Sequence, residues 1–215
     1  MLILLIILII CIAIAFKIYY DKSNLQKTVG NLLEKILYNQ RWIYLDMDEV
    51  QLLPGKILAK TNLLVRYMGS DPNTFWTLFP KAKVLIIMDD DKKEPIGLLK
   101  TIKTNTSEQI FQRVNKKGSF VDDFRESVYI SSVFIHPNYR SMGYGEKLLN
   151  LSLKLIKIDY DRFIKIHKML KVILEVKKIN KAAYKLYEKI GFKNVGKNDE
   201  EYLMMFELVN QLNQG

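Results

Sequence analysis

The sequence predicts an α/β (α+β) chain, one mixed domain preceded by a transmembrane helix. Three observations carry this. The chain opens with an unbroken apolar run, MLILLIILIICIAIAF. Two later runs, Val128–Ile135 and Lys171–Val176, are rich in the β-branched and aromatic residues of strands. Between them Glu146–Lys157 carries leucines and isoleucines at helical spacing.

The leader comes first. Lys17 interrupts the apolar run and Ile18-Tyr19-Tyr20 extend it. A helix reaching Tyr20 is roughly 30 Å long, the thickness of a bilayer's hydrocarbon core. Lys17 can snorkel to the interface, and Tyr19 and Tyr20 suit the headgroup belt. A cleaved signal peptide is the alternative, because Ala13-Ile14-Ala15 is an A-x-A site. No Lys or Arg precedes the run, however, whereas Lys17, Lys22 and Lys27 follow it. The positive-inside rule then puts the downstream domain in the cytoplasm, with membrane lipid as a partner of residues 1–20.

Residues 21–40 read as a juxtamembrane amphipathic helix, with Leu25, Val29, Leu32, Leu33, Ile36 and Leu37 on one side. That helix can lie on lipid, pack on its own domain or pair with a second copy, so a homodimer is open. The domain proper is 41–215. Arg41–Met47 suits a first strand. Asp48-Glu49 can start a helix running to about Tyr67, interrupted by Pro54-Gly55, and Gly69–Asn73 is a turn cluster. Lys83–Met88 and Ile96–Thr104 form a hairpin around the charged turn Asp89–Pro95, where three aspartates read as solvated rather than as a metal site. Residues 105–125 are polar and too long for an ordinary connection, with room for a short helix near 108–114. They are a candidate substrate-facing loop. Asp159–Leu170 is another long connection, and Phe192–Gly196 and Tyr202–Val209 complete two more strands.

Composition sets limits. The charge is +10, mostly from lysines scattered along the chain. That suits a solvated surface, an anionic membrane face or a phosphate-bearing ligand. No basic stripe interleaved with aromatics occurs, so no nucleic-acid partner is expected. The single cysteine, Cys11, lies in the leader, so there is no disulfide framework. No metal is expected.

The most informative residues are Arg140-Ser141-Met142-Gly143-Tyr144-Gly145, between a strand and a helix. Backbone N–H groups in the first turn of a helix have no partner within it, and the helix dipole adds positive character there. Two glycines let the backbone approach a ligand closely. The result is a cradle for a phosphate or pyrophosphate, with Arg140 as a charged fork.

The segment V-F-I-H-P-N-Y-R-S-M-G-Y-G (Val133–Gly145), followed by L-E-V (Leu174–Val176) and by N-K-A-A-Y-K-L-Y-E-K-I-G-F (Asn180–Phe192), resembles the GNAT superfamily of acyl-CoA-dependent N-acyltransferases. The resemblance implies a mixed, mostly antiparallel sheet with helices on both faces, whose central strands splay to admit the cofactor. It implies acetyl-CoA as co-substrate and an amine as acceptor. The backbone of Val133, Phe134 and Ile135 would meet the pantetheine arm, and Ser141–Gly145 the pyrophosphate. Asn180 matches a cofactor-contacting asparagine, though an N-cap suits it equally. Tyr187 matches the tyrosine that protonates the leaving thiolate, though its spacing also suits a core residue.

A lysine-like amine has a pKa of about 10.4 and must lose a proton before it attacks. The family often places a carboxylate for this on the strand before the cofactor loop, and here nothing acidic lies between Ser127 and Ile135. Glu126 and Glu175 are the candidates. His136 and His167 read as structural or unpartnered. Two other classes of function stay open: a non-catalytic acyl-CoA-binding module, and a membrane-tethered interaction protein on the same fold.

Overall fold

The computed structural model describes residues 41–77, 81–89, 91–104 and 126–209. The expected anchor, the amphipathic helix and the loop at 105–125 lie outside these residues. Among the described residues no helix is long and apolar enough to cross a membrane.

Among the described residues seven strands form one sheet. They are β1 (Trp42–Asp46), β2 (Lys83–Met88), β3 (Pro95–Lys103), β4 (Val128–Ile135), β5 (Met169–Lys177), β6 (Lys193–Lys197) and β7 (Glu201–Val209). Their order is β1-β2-β3-β4-β5-β7-β6. Every adjacent pair is antiparallel except β4–β5, which is parallel. That pair requires a crossover, supplied by helices α3 (Tyr144–Asp159) and α4 (Asp161–His167). The long connection expected at Asp159–Leu170 therefore holds a helix of its own.

One face of the sheet is covered by a 3-10 helix (Met47–Leu52), α1 (Gly55–Tyr67) and α2 (Pro72–Thr77). Val50, Ile57, Leu64, Val65, Phe75 and Trp76 pack there on Val84, Ile86, Leu98 and Ile173. The helix expected from Asp48 to Tyr67 is interrupted at Pro54-Gly55 as expected, its first piece being a 3-10 helix, because Pro54 has no N–H to continue the ladder and its ring obstructs the preceding turn. The turn expected at Gly69–Asn73 runs directly into α2, whose first turn is held by Asp71 Oδ2 accepting from the Thr74 N–H at 2.8 Å.

The other face carries α3, α4 and α5 (Lys181–Ile190). Leu148, Leu149, Ile156, Ile164 and Tyr187 pack on Leu85, Leu99, Val172 and Leu174. Leu148 and Leu149 are fully buried, and each such leucine contributes about 1.5–3 kcal/mol.

The functional geometry begins with a bulge. Thr101 pairs with Ile130 and Lys100 with Ser132, so Ser131 is an extra residue in β4. A bulge bends its strand. The β4–β5 pairing holds for Val128–Val172, Tyr129–Ile173 and Ile130–Leu174. β5 continues to pair with β7 as far as Lys177. Beyond Ile130 the two central strands thus share no ladder, and a gap opens between Ser131–Ile135 and Glu175–Lys177.

Candidate active site

The gap presents backbone on its β4 side. His136 donates its N–H to Ile96 O at 2.8 Å, toward β3. Successive peptide groups of a strand point to opposite edges, so the N–H groups of Ile135 and Val133 point into the gap. Phe134 sends its peptide toward β3 and its ring into the α1 face. A Cβ on Gly97 would lie 2.5 Å from Ile135 Cδ1 and 2.9 Å from Phe134 O, so only glycine lets β3 support the end of β4 this closely.

The cradle follows. Ser141 and Gly143 both adopt left-handed backbone, with φ of 62° and 80°. Gly143 is the N-cap of α3 and accepts the first helical hydrogen bond, from Lys147 at 3.0 Å. The N–H groups of Tyr144, Gly145 and Glu146 are left facing the loop. A Cβ on Gly143 would meet nothing within 4 Å, so the cradle is open where a pyrophosphate would lie. Gly145 packs tightly, its Cβ position 3.2 Å from Leu186 and 4.0 Å from Ile135. That contact brings α3, α5 and the end of β4 together, and the Lys189–Glu146 ion pair at 2.6 Å adds a second tie. Met142 is exposed at the loop tip.

Arg140, the expected charged fork, also makes contacts within the protein. Its Nε donates to Ile135 O at 3.1 Å, and its guanidinium lies 5.6 Å from the Phe134 ring centre. It braces the strand–loop corner and keeps an exposed flank for a phosphate. Asn180 caps α5, its Oδ1 accepting from the Ala183 N–H at 3.2 Å.

The three candidate catalytic side chains separate clearly. Glu126 precedes β4 at the end where β4 and β5 are still paired, and it forms an ion pair with Lys103 at 3.0 Å. Tyr187 lies on α5 and is buried on the α3 face of the sheet. Burial pushes its hydroxyl up to about 12. Glu175 sits one residue past the last β4–β5 pair. It shares the α1 face with Ile173, two residues before it. Glu175 and Tyr187 therefore lie on opposite faces of the sheet.

One residue escaped the sequence reading. The Tyr129 hydroxyl donates to Glu175 Oε2 at 2.9 Å, across the parallel pair and below the gap. Tyr129 is buried and looked like one more aromatic in a strand. Only its facing of Glu175 across the sheet sets it apart, and that register is not written in either segment alone. An open groove of ≈ 540 Å³ between α1 and the β2–β3 turn, lined among others by Lys56, Lys60, Leu63 and Lys92, shares no residue with the gap.

Comparisons with known proteins bear on the family and the fold. Residues 61–192 match the Acetyltransferase (GNAT) family. A search of curated proteins finds no sequence match. Among solved structures, the ribosomal-protein-S18-alanine N-acetyltransferase from Escherichia coli is similar at 14% identity and a TM-score of 0.51, covering 81% of this chain and 97% of its own. Arabidopsis thaliana NAA60 in complex with acetyl-CoA is similar at 16% identity and a TM-score of 0.49, covering 78% and 97%. The family match spans more than half of the chain, and the chain belongs to the GNAT acetyltransferases, acyltransferases that take acetyl-CoA as co-substrate.

Proposed function

We infer that this protein transfers an acetyl group from acetyl-CoA to the nitrogen of an amine acceptor, that Glu175 is the general base, and that Tyr187 is the general acid. One observation carries the residue assignment. Glu175 stands at the mouth of the gap on the α1 face, oriented by the Tyr129 hydroxyl, with Tyr187 on the opposite face.

The chemistry follows from this division of faces. Acetyl-CoA supplies a thioester carbon activated by a good leaving group. The cradle at Ser141–Gly145 would hold its pyrophosphate, and the inward N–H groups of Val133 and Ile135 its pantetheine arm and thioester oxygen. The acceptor approaches from the α1 face. Glu175 takes a proton from the ammonium, and the freed amine attacks, so a C–N bond forms as the C–S bond breaks. Tyr187 gives its proton to the departing sulfur and is restored by the second proton that the nitrogen sheds. One proton is released overall. Holding both reactants in one cleft can contribute on the order of 7–11 kcal/mol at best.

The test is thioester cleavage by the full chain with a panel of amines: a peptide with a free N-terminus, a peptide with only a lysine amine, spermidine and glucosamine. Amine-dependent CoA release that fails in Glu175→Gln supports the reading. CoA binding without release on any amine leaves the non-catalytic binding module.

The apolar run at 1–16, with lysines only after it, supports a second part of the reading: the enzyme is tethered by residues 1–20 with its domain on the cytoplasmic side. Full-length protein should then pellet with membranes and resist alkaline carbonate extraction. A mature protein beginning near Phe16 and found outside the cell would overturn this.

A further inference from the structure

On the α1 face of the sheet, the first rung past the last β4–β5 pair holds two opposite charges. Counting outward from Thr101–Ile130–Leu174, the next positions are Lys100 on β3, the Ser131–Ser132 bulge on β4 and Glu175 on β5. Glu175 is the base assigned above. Lys100 has no part in that assignment, and it is an unusual residue to find there. It is only 2% exposed, between the apolar Leu98 and Ile102 of its own strand on this face. Its Nζ donates to the Phe75 carbonyl of α2 at 2.5 Å and lies 4.4 Å from the Phe75 ring centre. Burial lowers its pKa to about 8.

A buried ammonium is an expensive way to attach a helix. A well-packed apolar residue in place of a buried charge is often neutral or stabilising. The helix in question is six residues long, too short to hold itself in place. Among the described residues two polar contacts fasten it: Lys100 to the Phe75 carbonyl, and Trp76 Nε1 to Asn62 Oδ1 of α1 at 2.6 Å. The first ties α2 to the sheet beside the gap. The second ties it to the helix that covers the same face. Unlike an apolar contact, a hydrogen bond to one carbonyl sets both the height and the rotation of the helix.

We propose that Lys100 is a positioning residue for the acceptor: by fixing α2, and with it Phe75, over the β3 side of the gap, it sets the width of the acceptor site opposite Glu175. This rests on the assignment of the α1 face to the acceptor. It does not involve the cofactor cradle, which lies at the far end of β4.

The test compares full-length wild type, Lys100→Met and Lys100→Arg. Two readouts are used, and one needs no turnover. Hydrogen exchange of the 72–77 segment should speed up at least tenfold in Lys100→Met, with α3 and β5 unchanged and the melting temperature equal or higher. With acetyl-CoA saturating and the panel amine of highest turnover varied, the acceptor KM should rise at least tenfold while CoA affinity stays within twofold. Lys100→Arg, which can still donate to the carbonyl, should recover part of both effects. Unchanged exchange of 72–77 in Lys100→Met overturns the proposal. So does a fall in melting temperature with acceptor KM and CoA affinity worsening together, the mark of a merely structural residue. If the wild type releases no CoA with any amine, the transferase reading fails, and the exchange of 72–77 still decides whether Lys100 holds α2.

Discussion

Tyr129 donates its hydroxyl to Glu175 Oε2 at 2.9 Å, from β4 to β5, one rung below the point where the two strands part. The bond spans the last piece of intact parallel sheet and hands its carboxylate to the first piece of open gap. A carboxylate orientated by a donor on the neighbouring strand is poised to accept from a substrate on its remaining lone pairs. Glu175→Gln should lower kcat by roughly 10²–10⁴-fold. Tyr129→Phe removes one hydrogen bond to a charged group, about 1.5–3 kcal/mol, so a loss of roughly 10- to 100-fold is expected. The double variant should be no worse than Glu175→Gln, because both changes act through one group. Additive losses would separate the two residues.

Gly143→Val tests the cradle. Gly143 has φ of 80°, which L side chains rarely adopt, and the space beyond its Cα is open. Valine there is strained and projects into the volume that a pyrophosphate needs. CoA affinity should be lost in a protein whose far-ultraviolet circular dichroism is unchanged. Full affinity in the folded variant would place the pyrophosphate elsewhere. Gly145 is a different case, because Leu186 stands 3.2 Å from its Cβ position. Gly145→Ala requires Leu186 to give way by a few tenths of an ångström, and the melting temperature of that variant reads whether it can.

Much of this site was legible in the chain, and the legible part was local. The loop Arg140–Gly145 announces itself because glycine and helix-start chemistry act within a few residues. Between Val128 and Phe192 the two strands and the helix from Glu146 were readable from residue pattern, whereas the helix Asp161–His167 was read as a connection. What could not be read depends on distant pairing. Ser131 is an ordinary serine until β3 is laid beside it and one residue of β4 proves to be extra. Tyr129 looks like a core aromatic until β5 brings Glu175 opposite. Lys100 looks like a strand lysine with its head in water until α2 closes over it. Helix α2 itself was hidden in a Gly-Ser-Asp-Pro-Asn cluster, whose residues signal turns and helix starts equally well.

Lys100 also makes a prediction about pH. Its pKa is about 8 in the folded chain against 10.5 as the ordinary value. The unfolded chain therefore binds more protons in that window, and stability must rise as pH increases from about 8 to 10.5. Lys100→Met lacks the group and lacks the rise. The urea midpoint of wild type relative to Lys100→Met should climb across this window and stay flat below it. Parallel curves for the two proteins would show that Lys100 titrates normally.

Tyr187 decides between chemistry and packing. It is buried on the face opposite Glu175, its ring 6.0 Å from that of Phe192. A general acid must hold its proton at working pH, and burial keeps this hydroxyl protonated up to about pH 12. Above pH 8 the rate should therefore plateau, with no decline near 10, where an ordinary tyrosine ionises. Tyr187→Phe keeps the ring and removes the proton. As the acid, it should lower kcat by roughly 10²–10⁴-fold, with CoA affinity and melting temperature nearly unchanged. The loss should shrink for a thioester whose thiol is more acidic, since such a sulfur leaves without help. A core tyrosine predicts the reverse: turnover intact, and a lower melting temperature from the altered packing against Phe192. Measuring kcat and melting temperature on one preparation, with acetyl-CoA and with an activated thioester, separates the two roles. Equal losses on both thioesters would remove Tyr187 from the step in which sulfur departs.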